Sequence, residues 1–182
     1  MLSKKEMRSK IKKLNKENEN KDFEKEDSII LERIKKNPSF KKASTVLLFY
    51  PFKEEVNILP LFDYCLEQNK KIALPKTYKE YIEFYLIDEN WRNNLKKGIF
   101  NTIEPIDGPI INSFAPLTVA IIPSMALSKD NSRLGHGKGY YDKFLSKHKN
   151  LIKIGVCRNY LLFNSLPTDS FDIKVDEVIS SN

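Results

Sequence analysis

The sequence predicts an α/β fold: an open, mostly parallel sheet with helices on both faces, preceded by two N-terminal helices. Three observations predict it. Short apolar, β-prone runs such as T-V-L-L-F-Y (45–50) and L-T-V-A-I-I-P (117–123) recur, each closed by a proline or a polar turn. Segments with apolar residues at helical spacing lie between several of these runs. Near-continuous apolarity, rather than strict alternation, is what strands buried on both faces show. Together these features describe a three-layer, Rossmann-like arrangement.

The elements follow in order. K-K-E-M-R-S-K-I-K-K-L (4–14) spaces Met7, Ile11 and Leu14 as one helix face, and N-K-E-N-E-N-K (15–21) interrupts it. A second amphipathic helix is expected from Phe23 to Lys36, with Ile29, Ile30 and Ile34 inward, ending before Pro38. The first strand ends at Pro51. Val56 to Gln68 offers Val56, Leu59, Phe62 and Leu66 as an inward helix face. K-I-A-L-P (71–75) and Y-I-E-F-Y-L-I (81–87) read as strands, and Asn90 to Phe114 as an irregular connection. After the strand 117–123, a glycine-rich stretch leads into a helix through about Lys147, and L-I-K-I-G-V-C (151–157) is one more strand. In such sheets ligands bind beyond the carboxyl ends of strands, which places the candidate loops after Tyr50, Leu74, Ile122 and Val156.

The 182 residues suit one domain, with residues 1–42 as a basic helical segment packed on it. Hydrophobic residues make up 41% and charged residues 30%, the balance of an ordinary globular chain. No apolar run approaches membrane-spanning length, and the start, M-L-S-K-K-E-M-R, lacks the apolar segment of a secretory signal. Cys65 and Cys157 lie far apart among apolar neighbours, so they are expected to be reduced core residues in a cytoplasmic setting. Of the net charge of +7, residues 1–42 carry 14 Lys/Arg against 8 Asp/Glu, and the remainder 17 against 16. A basic segment on a nearly neutral body could meet nucleic acid, an acidic membrane surface or a phosphorylated small molecule, and most of its lysines are expected to form a solvated helix face. Without a nucleic-acid-binding module, no nucleic-acid partner is expected.

The stretch R-L-G-H-G-K-G-Y-Y-D-K-F-L (133–145) holds three of the six glycines in five positions. Glycines permit positive φ and close approach of a ligand to the backbone, and successive amides before a helix N-terminus form an anion cradle. Arg133 supplies a planar fork for phosphate and Lys138 a point charge. Asp142 can cap the helix or hold Mg²⁺ against phosphate oxygens. The spacing is neither a Walker A loop nor the dinucleotide fingerprint. The residues by themselves leave a structural turn and a phosphate site both open.

The wider run P-S-M-A-L-S-K-D-N-S-R-L-G-H-G-K-G-Y-Y-D (123–142) resembles the signature of the 5-formyltetrahydrofolate cyclo-ligase family. Further matches occur in order: Lys4 to Arg8, Y-P-F-K-E-E-V-N with Glu55, Pro75-Lys76, Trp91, Glu104-Pro105, and the closing L-P-T-D-S-F-D-I-K-V-D-E-V-I. The resemblance implies ATP- and Mg²⁺-dependent conversion of 5-formyltetrahydrofolate to 5,10-methenyltetrahydrofolate by a monomer acting on small molecules. It implies an ATP site from Lys4, Lys5, Arg8, Arg133, Leu134, Gly135, His136, Gly137, Lys138, Gly139, Tyr140 and Tyr141. Arg133, Lys138 and Tyr140 would act in catalysis, Asp142 and Asp172 would hold Mg²⁺, and Tyr50, Glu55 and Trp91 would contact folate. The chain departs from the family pattern at Leu127, Asn131, Leu161 and Phe171, and the last two motivate an alternative: a nucleotide-binding regulatory module without turnover.

Overall fold

The computed structural model describes residues 2–182. Three helices, α1 (Lys4–Glu17), α2 (Glu24–Lys36) and α3 (Pro38–Lys42), precede β1 (Thr45–Leu47). Then come α4 (Pro60–Glu67), β2 (Lys71–Thr77), β3 (Ile82–Ile87), β4 (Leu95–Lys97) and β5 (Ile103–Pro105). The remainder runs β6 (Thr118–Ile122), β7 (Ala126–Ser128), β8 (Arg133–Leu134), α5 (Tyr140–Lys147), β9 (Ile152–Val156), β10 (Leu162–Phe163) and β11 (Glu177–Ile179).

Six strands form the main sheet in the order β11-β9-β6-β1-β2-β3, parallel throughout except for the antiparallel β2/β3 pair. The mostly parallel sheet with helices on both faces is therefore as the sequence predicts. Strand pleating divides the core in two. Val119 and Ile121 of β6 join Val46, Ile72 and Ile154 on the face covered by α2, α3 and α4. Ala120 and Ile122 join Leu47 and Ala73 on the other, beneath Met7 and Ile11 of α1 and Phe144 and Leu145 of α5. Each fully buried large side chain there contributes about 1.5–3 kcal/mol.

The helical part of the chain differs from expectation in three respects. Pro38 does not simply end a helix. Asn37 caps a third one, its Oδ1 accepting from Phe40 N at 3.0 Å, and Pro38 occupies the first turn where no amide is needed. Ile29 faces solvent while Leu31 turns inward, a shift in the buried face of α2. The helix foreseen over residues 56–68 is confined to Pro60–Glu67. Pro75 is tolerated within β2 because β1 ends opposite Ala73, leaving that side of β2 without a ladder. The supposed irregular connection contains the β4/β5 hairpin, and β7, β8 and β10 form a small second sheet, with β11 an unforeseen edge strand of the main one. Among the described residues no helix is long and apolar enough to cross a membrane.

Candidate functional site

From β1 the chain proceeds to β2 on one side and later returns to place β6 on the other, so the strand order switches between β1 and β6 and opens a crevice beyond their carboxyl ends. A cavity of about 1320 Å³ occupies it. Phe49 and Tyr50 after β1, Pro75 of β2, Pro123 after β6 and the whole run Arg133–Lys143 line it. The segment after Val156 does not. Arg158 there turns to the opposite face of the sheet and forms a buried pair with Asp27 of α2 at 2.9 Å.

The glycine run builds one wall. Gly137 (φ 98°) and Gly139 (φ 69°) take the left-handed backbone, and Gly139 is the N-cap of α5. With Gly at the cap no side chain covers the first amides of α5, which are left for a ligand. Gly137 matters for a second reason: a Cβ there would lie 3.1 Å from the Arg8 guanidinium carbon. Gly137→Ala should therefore combine left-handed strain with displacement of Arg8. We expect nucleotide affinity to fall at least several-fold while the protein stays folded, as read by isothermal titration with ADP and by circular dichroism.

Cations converge on that wall from α1. Ser3 and Glu6 form a reciprocal capping box, Ser3 N donating to Glu6 Oε2 at 2.8 Å and Glu6 N to Ser3 Oγ at 3.3 Å. The box fixes the first turn, and Lys4 and Arg8, four residues apart, point to the same side. Arg8 Nε donates to Gly135 O at 2.9 Å. Lys4 Nζ lies 2.7 Å from Asp169 Oδ2 and 2.5 Å from Asp172 Oδ2. Burial pulls the Lys4 ammonium down, but the hydrogen bonds and charges of these two aspartates outweigh it and raise its pKa. Lys5 also lines the cavity.

Arg133 is held by its ends. Nη2 donates to Asp142 Oδ2 at 2.9 Å and Nη1 to Pro123 O at 3.3 Å, while the buried Nε has no partner. Asp142 Oδ1 also accepts from Ile173 N at 3.2 Å, and Asp172 Oδ2 from Asp169 N at 2.7 Å. Asp142 and Asp172 thus both line the cavity, each already engaged by a cation. Among the described residues no three His, Cys, Asp or Glu side chains gather closely enough to hold a metal unaided. The donor set fits Mg²⁺ in the form it commonly takes, one or two carboxylates with phosphate oxygens and water completing the shell.

Tyr50, Phe52 and Glu55 form the part of the cavity lining that adjoins the glycine run at His136. Glu55 has 9% of its side chain exposed. Oε2 accepts from Phe52 N at 2.9 Å, whereas Oε1 is buried without a partner, 3.8 Å from His136 Nε2. His136 packs edge-on against Phe52.

Three predicted site residues are placed differently from expectation. Trp91 does not line the cavity. It is buried against Phe62, with Nε1 donating to Asp63 at 3.2 Å, because a large apolar indole fills the gap beside α4. The aromatic at the cavity from that part of the chain is Phe100, 51% exposed and at φ 63°. The ammonium of Lys138 sits 5.2 Å over the Phe100 ring, at the rim of the cradle. Tyr140 sends its hydroxyl away, to Lys79 O at 3.0 Å, so only its ring faces the site. Asp169 and Phe100 escaped the sequence reading, and Phe171, read there only as a departure from the family pattern, also lines the cavity. Asp169 carried a usable signal: an aspartate three positions before Asp172 suits a shared cation.

Comparison with known proteins gives the family and the shared fold. The 5-formyltetrahydrofolate cyclo-ligase family model matches residues 1–181. The chain belongs to this family. A probable 5-formyltetrahydrofolate cyclo-ligase of Schizosaccharomyces pombe is 28% identical over 167 residues, covering 83% of this chain and 81% of the relative. The Mycoplasma genitalium 5-formyltetrahydrofolate cyclo-ligase is 32% identical over 133 residues, covering 72% and 69%. Among solved structures, the 5,10-methenyltetrahydrofolate synthetase of Aquifex aeolicus superposes with a TM-score of 0.79 at 32% identity, covering 98% of this chain and 89% of that one. That of Mycoplasma pneumoniae gives 0.70 at 25% identity, with both chains fully covered. As a cyclo-ligase family member, the chain has its glycine run, α1 cations and Glu55 on one cavity in a shared fold. Leu161, one of its departures from the pattern, is a buried core residue.

Proposed function

We propose that this chain is a 5-formyltetrahydrofolate cyclo-ligase that uses ATP and Mg²⁺ and releases 5,10-methenyltetrahydrofolate, ADP and phosphate. The observation that carries the reading is a single cavity with two complementary walls. One presents the left-handed Gly137–Gly139 turn, the N-terminus of α5 and the Arg133, Arg8 and Lys4 cations. The other presents a buried carboxylate oxygen that lacks a donor. The first wall suits a polyphosphate and the second the N–H groups of a reduced pterin.

An amide-like formyl oxygen is a poor leaving group, and phosphorylation corrects this. The formyl oxygen attacks the γ-phosphorus and ADP departs. N10 then attacks the activated formyl carbon, its proton is lost, and C–O cleavage expels phosphate as the ring closes. In this reading Gly135, Gly137 and Gly139 bring backbone amides to the phosphates, and Leu134 and His136 line the cradle. Arg133 Nε and Lys138 meet charge that develops on the transferring group, and the Tyr140 and Tyr141 rings bound the pocket. Lys4, Lys5 and Arg8 neutralise the polyphosphate from the side of α1. Mg²⁺ held by Asp142 and Asp172 would screen the phosphate oxygens. Tyr50 offers a ring face and Glu55 an acceptor to the pterin, with Phe100 in the place foreseen for Trp91.

Purified protein with ATP, Mg²⁺ and 5-formyltetrahydrofolate should generate the near-ultraviolet absorbance of the methenyl product. The signal should require all three components. Folded, ATP-binding protein that gives no such absorbance and no folate-dependent ADP release would favour the regulatory alternative.

A further inference from the structure

Ring closure in the proposed reaction releases the N10 proton, and the cations of the phosphate side cannot receive it. Five carboxylates line the cavity: Glu55, Glu104, Asp142, Asp169 and Asp172. Asp142 is paired with Arg133, and Asp169 and Asp172 with Lys4. Glu55 is the acceptor offered to the pterin. Glu104, in β5, has no such assignment. It is only 3% exposed, and among the described residues it forms no ion pair, not even with Lys96, its cross-strand neighbour in the β4/β5 hairpin. Its Oε1 accepts from Thr102 Oγ1 at 2.6 Å, while Oε2 accepts from no group among the described residues. Unlike Glu55 Oε1, this oxygen is not sealed off. Gly98 leaves the carboxylate its space, since a Cβ there would overlap Glu104 Oε2. A nearly buried carboxylate without a cation is destabilising in the free protein, so its presence in the lining of a ligand cavity points to work on the ligand.

We propose that Glu104 is a further catalytic residue, the base that receives the N10 proton as the ring closes. This rests on the cyclo-ligase reading and adds a group to its second step. The N10 lone pair forms the bond to the phosphorylated formyl carbon, and the π electrons between that carbon and N5 move onto N5. The N10 proton passes to Glu104 Oε2. The N5 lone pair then re-forms the double bond as the C–O bond breaks, and phosphate departs with that electron pair. Glu104 returns its proton to phosphate or water. Thr102 occupies Oε1, which leaves Oε2 as the acceptor. The carboxylate has the same sign of charge as phosphate, and it lies on the same hairpin as Phe100, the ring assigned to the folate. Both features place it with the folate rather than the polyphosphate.

Glu104→Gln keeps the shape and an acceptor for Thr102 but cannot take a proton. Single turnovers with enzyme in excess over 5-formyltetrahydrofolate, and with saturating ATP and Mg²⁺, would follow the two steps separately: ADP by rapid quench, the methenyl product by its near-ultraviolet absorbance. ADP formation in the variant should stay within about three-fold of wild type, whereas methenyl formation should slow about 10²-fold, the scale of a lost general base. The melting temperature should match that of wild type, because no ion pair is lost. Glu104→Ala should show the same split, and added acetate should restore part of its closure rate, a response that a structural role would not give. Methenyl formation within about three-fold of wild type in the Gln variant overturns the assignment and gives the proton to phosphate or water. Equal slowing of both steps also overturns it, by making Glu104 a positioning residue. So does a Gln variant that loses its fold, which makes the residue structural. Wild-type protein that forms neither ADP nor methenyl product sinks the cyclo-ligase reading itself, whereas wild type that turns over beside an unaffected variant sinks only this assignment.

Discussion

Arg133→Met should lower kcat by about 10³-fold or more, the scale seen when a cation that meets transition-state charge on a transferring phosphoryl group is removed. The reason is the way the guanidinium is held. Asp142 and the Pro123 carbonyl take its two terminal nitrogens, and the buried Nε has no partner. Such a group is oriented before substrate arrives, so little reorganisation is needed when charge develops. Methionine fills the space but cannot replace the fork. Arg133→Lys should recover only a small part of the lost rate, because one ammonium cannot hold Asp142 and contact phosphate at once. Steady-state kinetics with both substrates saturating would check this, beside circular dichroism to confirm the fold. A Met variant within ten-fold of wild type would remove Arg133 from the chemistry.

Arg158→Met should cost about 3–5 kcal/mol of stability, the loss expected when one member of a buried ion pair is removed. Arg158 Nε and Nη2 donate to the two oxygens of Asp27, each at 2.9 Å, and Asp27 Oδ2 also accepts from Asn57 N at 3.0 Å. The guanidinium stacks 4.0 Å from the Phe23 ring centre. Without Arg158 the Asp27 charge stays buried and is met by a single backbone donor. Asp27→Asn combined with Arg158→Met should therefore be less destabilising than the sum of the single changes, because no buried charge is left uncompensated. Urea denaturation of the four proteins gives the coupling directly. Additive losses, or a single variant within 1 kcal/mol of wild type, would show that the pair contributes little.

That pair also bears on the site. Arg158 Nη1 donates to Lys53 O and Glu54 O at 3.4 and 3.2 Å, so it steadies the loop that carries Glu55. The segment after β9, expected to line the ligand crevice, instead supports it from behind.

Particular residues explain how far the sequence could be read. The strand 118–122 and the turn into α5 were legible because their signals are local: continuous apolar residues in one, glycines before an amphipathic turn in the other. β8 and β10, two residues each, and β7, with three, were not, because their extended form comes from tertiary pairing and two or three residues carry no periodicity. The cradle residues were found because a contiguous run carries them. The folate wall was harder. Trp91 and Phe100 lie nine positions apart in one irregular stretch. Which of them is buried depends on the β4/β5 hairpin and the left-handed turn at Phe100 and Asn101, and no local pattern announces either. The unpartnered atoms of Glu55, Arg133 and Tyr141 come from three-dimensional packing alone.

The central claim is that one cavity seats a polyphosphate and a reduced pterin side by side. A crystal structure of the protein with 5-formyltetrahydrofolate and a non-hydrolysable ATP analogue tests it most directly. The account predicts phosphates against the amides of residues 135–140, within reach of Arg133, and pterin N–H groups on Glu55. Nucleotide lodged in the separate cleft beside Phe23 and Arg158, or a cradle closed by its own side chains, would contradict it.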